Sequence, residues 1–424
     1  MFVVERLRAR EILDSRGRPT VSAECILHGG ITGSASVPSG ASRGAAEAVE
    51  LRDGDQRRYR GLGCRNAVGK IQGELNADVQ GREFESQADF DARLVSLDGT
   101  SAKSRLGANA ILAVSLAFAR AAAAAKREEL WHYFSELAAV RPNSLPRLTI
   151  NLFSGGKHAG QQVAIQDVLI VPVSTQTVDD SLAMGWEVYQ TAAEISLQRY
   201  GMRLLRADEG GMAPSFRTPE EMIETAMEAI NIAGLQSGKD VALAIDVAAS
   251  HFHSASGYRI GDQLFSSAGM IDRLRQWADT YPLVSVEDGL AEDDWQSWPE
   301  LLSAIGDRAL VLGDDFLCTN TARIQRAIDL SACNALLLKV NQVGTLTEAC
   351  RALQLARKAG WQTTLSVRSG ETEDTWAADL AVGWSADQFK NGSLTQSERL
   401  AKYNRLLAIE SETSLPVNSW PIMS

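Results

Sequence analysis

The sequence predicts an α/β protein in which a small N-terminal α+β domain precedes a larger βα-barrel. In the second part of the chain, short apolar runs alternate with helical segments, and successive runs close on a charged residue. The segment RPNSLP at 141–146 holds two prolines and separates this part from the first part of the chain, in which strand-like runs precede helical segments. We therefore predict domains at 1–140 and 141–424. The length of 424 residues suits a small domain beside a barrel of about 250 residues.

The first part of the chain reads as strands followed by helices. Residues 2–37 alternate or run apolar in short bursts between glycine and proline signals, which indicates a small meander of strands. From about residue 65 to 138 the apolar period becomes helical. The alanine-rich stretch 106–125 contains Asn109 and Arg120, so we expect a buried packing helix rather than a membrane span. Strands followed by helices predict an α+β domain.

Repeated βα units make up the second part of the chain. Their nearly continuous apolar strands imply a parallel sheet that is buried on both faces. Five strands end in succession on or near a charged side chain, namely Asp246, Glu287, Asp314, Lys339 and Arg368. Charged groups at the carboxyl ends of many strands are typical of a βα-barrel. A doubly wound open sheet is the alternative, but it would not need charge on so many consecutive strands.

The composition excludes some classes of partner. Lys and Arg number 42 against 53 Asp and Glu, a formal net charge of −11, and no basic run has the length of a nucleic-acid or membrane patch. We expect neither nucleic acid nor membrane as a partner, and an anionic substrate bound through a divalent metal. The five cysteines form no C-x-x-C pair and the N-terminus has no apolar signal region, which predicts reduced thiols in a cytoplasmic protein.

Three carboxylates at strand ends predict a magnesium site. Asp246, Glu287 and Asp314 would meet at the mouth of the barrel, where like charges cannot all ionise without a cation among them. Oxygen ligands without histidine or cysteine suit Mg²⁺, which keeps open positions for substrate oxygens. The alternative is that the three are helix N-caps or solvated strand ends, but their register on successive strands favours the metal.

A lysine and an acid predict proton transfer across that site. Lys339 follows a buried apolar strand, where desolvation and a neighbouring cation both favour the neutral amine that accepts a proton. Glu209, which precedes two glycines, is the candidate for the facing acid. Such a pair across a metal can remove the proton α to a carboxylate and expel a β leaving group.

Two glycine-rich loops and an arginine complete the candidate site. The loops at 37–44 and 154–160 are mobile by composition and could close over a ligand, although such loops are more often surface turns. Arg368 and Ser369 form a candidate phosphate clamp, since arginine can hold phosphate with two donors. His158, in the second loop, is the best placed of the five histidines.

Long motifs resemble the enolase family over essentially the whole chain. They run from REILDSRGRPTV (10–21) to RLAKYNRLLAIE (399–410) and include PSGAS, ELRDGD, GANAILAVSLA, VEDGL, LLKVNQVGTLTEA and RSGETEDTWAADLAVG. The resemblance implies a small N-terminal α+β domain on a TIM-like βα-barrel with an irregular first unit, commonly as a homodimer or higher homo-oligomer. It also implies the glycolytic dehydration of 2-phosphoglycerate to phosphoenolpyruvate with two Mg²⁺ ions per active site. A lysine base beside Mg²⁺ is a known feature of this superfamily.

The resemblance also implies a role for each candidate residue. The three strand-end carboxylates would bind the first Mg²⁺, and Ser39 would help to place the second. Lys339 would take the C2 proton, and Glu209 would assist departure of the C3 hydroxyl. The remaining candidates would bind the substrate: Arg368 and Ser369 its phosphate, Lys390 its carboxylate, and His158, Gln166 and Asp167 as the wall of the pocket.

Several positions depart from the family pattern. Val367 stands where enolases have an active-site histidine, Asp167 where they have glutamate, and Ser154 where they have asparagine. Val367 and Asp167 would lie on the side of the leaving hydroxyl, so they predict an altered substrate geometry. Arg43 replaces the usual threonine of the first loop, where it would meet an extra anionic group or face solvent.

Three hypotheses about function stay open at this point. The first is ordinary 2-phosphoglycerate dehydration, and the intact metal ligands and catalytic pair favour a working catalyst. The second is a specialised paralogue for a related phosphorylated or phosphonate carboxylic acid, in the manner of carboxyphosphonoenolpyruvate synthase. The third is a non-catalytic homologue kept as a binding or structural protein.

Overall fold

The chain forms an N-terminal sheet with helices and a closed barrel. A computed structural model describes residues 1–41, 43–201 and 205–421. Ser42, in the first glycine-rich loop, lies outside the described residues. The predicted boundary at 140/141 falls between the last N-terminal helix and the first barrel strand, and it stays a prediction.

The N-terminal part is a four-stranded antiparallel sheet in the order β3-β2-β1-β4. Its strands are β1 Phe2–Leu13, β2 Pro19–Leu27, β3 Ile31–Ser36 and β4 Glu83–Phe84. Its helices are α1 Arg65–Lys70, α2 Asn76–Val79, α3 Gln87–Asp98, α4 Ala108–Lys126 and α5 Leu130–Ala138. The strands that precede the helices agree with the predicted α+β domain.

Helix α4 is the core of this part. It is long and apolar enough to cross a membrane, but 83% of its apolar window is buried inside the protein, which agrees with the predicted packing helix. A methyl group added to Gly33 of β3 would lie 2.2 Å from the backbone nitrogen of Ala121 in α4. Small residues therefore let the sheet and the helix approach closely, and this explains the alanine content of α4.

The second part is a closed eight-stranded barrel in the order β5-β6-β7-β11-β12-β13-β14-β15. These strands are β5 Arg147–Ser154, β6 Asp167–Pro172, β7 Val241–Asp246, β11 Leu283–Glu287, β12 Leu310–Gly313, β13 Ala335–Leu338, β14 Gln362–Ser366 and β15 Gln388–Lys390. β6 runs antiparallel to both of its neighbours, and the other pairs are parallel. The barrel thus begins with the irregular unit that the resemblance implies.

Helices surround the barrel, and a small antiparallel sheet leaves it after β7. The helices are α6 Val178–Tyr200, α7 Pro219–Ile232, α8 Ser267–Thr280, α9 Trp298–Ile305, α10 Thr321–Leu330, α11 Leu346–Lys358, α12 Trp376–Gly383 and α13 Ser397–Thr413. The small sheet is β8 His253–Ser254, β9 Gly257–Ile260 and β10 Gln263–Phe265. At the carboxyl ends of the barrel strands, the first glycine-rich loop pairs Ser39 with Gly370 through two backbone hydrogen bonds. The N-terminal part therefore reaches the end of the barrel where the predicted site residues lie.

Candidate active site

The three predicted metal ligands lie together at the carboxyl end of the barrel. Asp246 ends β7, Glu287 ends β11 and Asp314 directly follows β12, and all three are buried. Lys390, at the end of β15, places its Nζ 2.8 Å from Asp246 Oδ2 and 2.6 Å from Glu287 Oε2. Lys339, directly after β13, donates a hydrogen bond to Asp314 Oδ2. Because the parallel strands end on one face, the carboxylates converge around two ammonium groups.

The electrostatics of this cluster suit a divalent cation. Burial raises the pKa of Glu287 well above its ordinary value, and the charges of Asp246 and Asp314 act in the same direction. The Oε1 atom of Glu287 is buried without a hydrogen-bond partner among the described residues. An orphaned carboxylate oxygen beside two further acids matches the oxygen ligands that Mg²⁺ prefers. The chemistry of the donors therefore fits the predicted ion. Among the described residues, the carboxylates that group with Asp314 within 4.8 Å of one another are those of Asp288 and Asp315.

Two amide side chains orient the outer carboxylates of the cluster. Gln166 donates to Asp246 Oδ2 over 3.2 Å, and Gln342 donates to Asp314 Oδ1 over 2.8 Å. Thr319 in turn donates to the Oε1 atom of Gln342 over 2.6 Å. Hydrogen bonds of this kind fix the direction of metal-binding groups. The family resemblance assigned Gln166 to the pocket wall. Gln342 stands in a quoted motif but had no assigned role, because its role depends on its contact with Asp314.

The charge of Lys339 depends on its pairing with Asp314. Burial lowers the pKa of Lys339, but the attractions of Asp314 and Glu287 together outweigh it, so the pKa lies above its ordinary value. The protonated amine is favoured while Lys339 pairs with Asp314. The neutral amine is expected with a divalent cation beside Lys339, so it stays a prediction.

Glu209 lies in a second charged cluster with His158. The Nε2 atom of His158 is 3.9 Å from Glu209 Oε1, and Asn151 donates to Glu209 Oε2 over 3.0 Å. Burial raises the pKa of Glu209, but the charges of His158 and Arg399 outweigh it and lower the pKa overall. Glu209 is therefore an ionised carboxylate with a proton donor beside it.

Asp167 holds the other ring nitrogen of His158. Its Oδ2 atom lies 3.0 Å from Nδ1 of His158, and its Oδ1 atom accepts a 2.6 Å hydrogen bond from Ser154. Burial lowers the pKa of His158, but Asp167 and Glu209 outweigh it and raise the pKa to about 9. Two of the departures from the family pattern, Ser154 and Asp167, are thus direct partners. Sequence spacing gave no sign of this contact, which forms across the β5–β6 pair.

The predicted phosphate clamp is engaged by an internal carboxylate. Arg368 donates to both carboxylate oxygens of Glu47, over 3.0 and 3.2 Å. Arg399 donates to the backbone carbonyls of Arg368 and Ser369, which fixes the clamp. Glu47 and Arg399 had no role in the sequence analysis. Arg399 stands in one of the quoted motifs, but a motif does not say which way a side chain points.

Ser39 is bonded within the N-terminal loop region. Its hydroxyl donates to Asp14 Oδ2 over 2.9 Å and accepts from Arg16 over 3.0 Å. The same guanidinium of Arg16 donates to Ser369 Oγ over 3.2 Å. Among the described residues, Ser39 is therefore joined to the phosphate clamp through Arg16 rather than to the metal ligands.

A small cavity remains among these groups. It measures about 20 Å³, which is room for about one water molecule. Val367 is buried and lines the cavity beside Lys339 and His158. Arg43 lies outside it and pairs with Glu50 over 2.7 Å. Arg43 is exposed to solvent while it pairs with Glu50, so the structure agrees with the interpretation in which it faces solvent.

Comparison with protein families agrees with the fold. The family model described as "Enolase, N-terminal domain" matches residues 4–134. The model described as "Enolase, C-terminal TIM barrel domain" matches residues 142–418. Together they cover nearly the whole chain, and the closed barrel has the architecture that the second model describes. The chain therefore belongs to the enolase family.

Proposed function

We propose that the protein is a magnesium-dependent carbon–oxygen lyase that dehydrates 2-phosphoglycerate to phosphoenolpyruvate. In this reaction the C2–H bond and the C3–O bond break, a C2=C3 double bond forms, and water leaves. The observation that carries the proposal is the convergence of three carboxylates, Lys339 and Glu209 at one end of the barrel. The family assignment supports a lyase of this type.

The metal would be held by Asp246, Glu287 and Asp314. The unpartnered oxygen of Glu287 and the oxygen-only donor set support this assignment. When bound, Mg²⁺ stabilises the negative charge that develops on a carboxylate as its α-proton leaves. Lys390, which now bridges two of these acids, would then be released to bind the substrate carboxylate.

Lys339 and Glu209 would carry the proton transfers. Nζ of Lys339 accepts the C2 proton once its pairing with Asp314 weakens, because that pairing is what raises its pKa. Glu209 faces the leaving hydroxyl, and His158, with a pKa of about 9, holds a proton 3.9 Å from it. The departing oxygen therefore has a nearby proton source at neutral pH.

The phosphate would be bound by Arg368 and Ser369. Arg368 already holds a carboxylate through two hydrogen bonds, which supports its ability to bind phosphate in the same way. Substrate phosphate would displace Glu47 from the guanidinium. Because Glu47 follows the first glycine-rich loop, this exchange would also move the loop.

The direct test follows phosphoenolpyruvate formation at 240 nm with 2-phosphoglycerate and Mg²⁺. We expect turnover that EDTA abolishes and that Lys339→Ala removes, while Lys358→Ala on the exposed face of α11 keeps it. No turnover by the wild-type protein would contradict the proposal. If Mg²⁺ still raised the melting temperature in that case, a non-catalytic homologue would be the better description.

A second candidate is a paralogue for a related phosphorylated or phosphonate carboxylic acid. Val367 favours it, since its apolar side chain lines the cavity and cannot donate a hydrogen bond to a hydroxyl. Ser154 and Asp167, which are hydrogen-bonded to each other, favour it as well, because both side chains are shorter than the asparagine and glutamate of the family pattern. Val367→His combined with Asp167→Glu should raise 2-phosphoglycerate turnover if the pocket serves another substrate, and an unchanged rate would argue against this candidate. A gene neighbourhood of phosphonate or secondary-metabolite genes would support it.

We further propose a cytoplasmic homodimer or higher homo-oligomer. All five cysteines are free and buried, which supports a reducing compartment. Light scattering after size-exclusion chromatography measures the oligomeric state, and the mass of a single chain would contradict the proposal.

A further inference from the structure

A second cavity, which we call the side cavity, lies behind the loop that carries His158. It measures about 580 Å³ and is bounded by this loop, the start of α7, the β9–β10 hairpin and α8. It shares no lining residue with the catalytic cavity. Gly156 and Lys157 line the side cavity, whereas His158 and Gln166 line the catalytic one. The segment 156–166 is therefore the wall between the two.

The lining of the side cavity is basic. Its charged side chains are those of Lys157, Arg217, Arg259, Arg273, Glu220 and Asp262. Four cations against two carboxylates give a local balance of +2, in a chain whose formal net charge is −11. A concave surface of one sign raises the local concentration of ions of the opposite sign.

Two cations in the side cavity are available to a ligand. In the described part of the chain, Lys157 and Arg259 are exposed and form no ion pair. Burial and the charge of Lys157 lower the pKa of His251 to about 4, so its ring is neutral at pH 7.

We propose that the side cavity binds a small anion with a phosphate group, and that the bound anion fixes the loop that holds His158. Lys157 belongs to this loop and Arg259 to β9, so an anion held by both would tie the loop to the hairpin. Since Lys157 precedes His158 directly, this tie would limit the movement of His158 relative to Glu209. The proposal concerns a site apart from the catalytic cavity and does not depend on the reaction proposed above.

Calorimetric titration of the Arg368→Gln variant with inorganic phosphate tests the binding. This variant lacks the guanidinium that would bind phosphate in the catalytic cavity. We expect one phosphate per chain, and a loss of affinity of about tenfold or more when Arg259→Glu is added. Arg275→Glu is the matched control, because it makes the same charge change on an exposed face of α8 outside the cavity. It should leave the affinity unchanged.

Hydrogen exchange in proteins that keep Arg368 tests the effect on the loop. It also tests the proposal if Arg368→Gln does not fold. Phosphate should slow amide exchange across 156–164 in the wild type and in Arg275→Glu, but not in Arg259→Glu. If 2-phosphoglycerate gives this pattern and inorganic phosphate does not, the site is confirmed with a phosphorylated acid as its ligand. Absence of protection with both, or equal losses in the two arginine variants, would overturn the proposal.

Discussion

Replacing Lys390 by methionine tests the arrangement of charges at the end of the barrel. The change removes the ammonium group between Asp246 and Glu287 and keeps a side chain of similar length. All three groups are buried, and breaking a buried ion pair by removing one partner costs about 3–5 kcal/mol. Burial already raises the pKa of Glu287, so this acid can take up a proton instead of staying charged. Lys390 pairs with two acids, but the loss of unfolding free energy should be that of one broken pair, about 3–5 kcal/mol, because protonated Glu287 no longer needs a partner.

Urea unfolding in EDTA and in Mg²⁺ measures this effect. Lys390→Met should lose about 3–5 kcal/mol in EDTA, and Mg²⁺ at about 100 times its Kd should restore about 2.7 kcal/mol. Lys358→Met is the control, because Lys358 is exposed on α11, and it should change stability by less than about 0.5 kcal/mol. Equal stability of Lys390→Met and the wild type in EDTA would refute the view that Lys390 neutralises the metal ligands.

Two further predictions concern packing and protonation. Gly33→Val should lower the unfolding free energy by about 1–3 kcal/mol or more, because β3 contacts the backbone of α4 there. Gly69→Ala is the control, because an added methyl there meets nothing within 4 Å, and it should raise the unfolding free energy by up to about 1 kcal/mol. Equal stability of the two variants in urea would contradict the close contact between β3 and α4. Burial lowers the pKa of His158, but neighbouring acids raise it to about 9. Protonation of His158 therefore stabilises the fold fully below about pH 6.5, and this stabilisation is lost as the pH rises through 9. Asp167→Asn should flatten this decline, and an unchanged pH profile of stability would show that Asp167 does not hold the proton.

The sequence predicted the site best where backbone topology determines position. Asp246, Glu287 and Lys339 end or follow parallel strands, and a barrel brings such ends to one face whatever the loops do. The apolar helix α4 was also predictable, since Asn109 and Arg120 inside the stretch argued against a membrane span. The antiparallel β6 followed from the resemblance to the family and not from the apolar pattern.

The partners of the site residues could not be predicted in the same way. Glu47 meets Arg368 across 321 positions of the sequence, and Lys390 meets Glu287 across 103. Such contacts depend on loop paths and side-chain conformations, which leave no periodic trace in the sequence.

Solvent exchange of the C2 hydrogen of 2-phosphoglycerate tests most directly the claim that Lys339 removes a proton beside the three carboxylates. In D₂O with Mg²⁺, the wild-type protein should incorporate deuterium at C2, as followed by NMR. Lys339→Ala should show no incorporation while Mg²⁺ still raises its stability. Deuterium incorporation at the wild-type rate by Lys339→Ala would show that the base lies elsewhere.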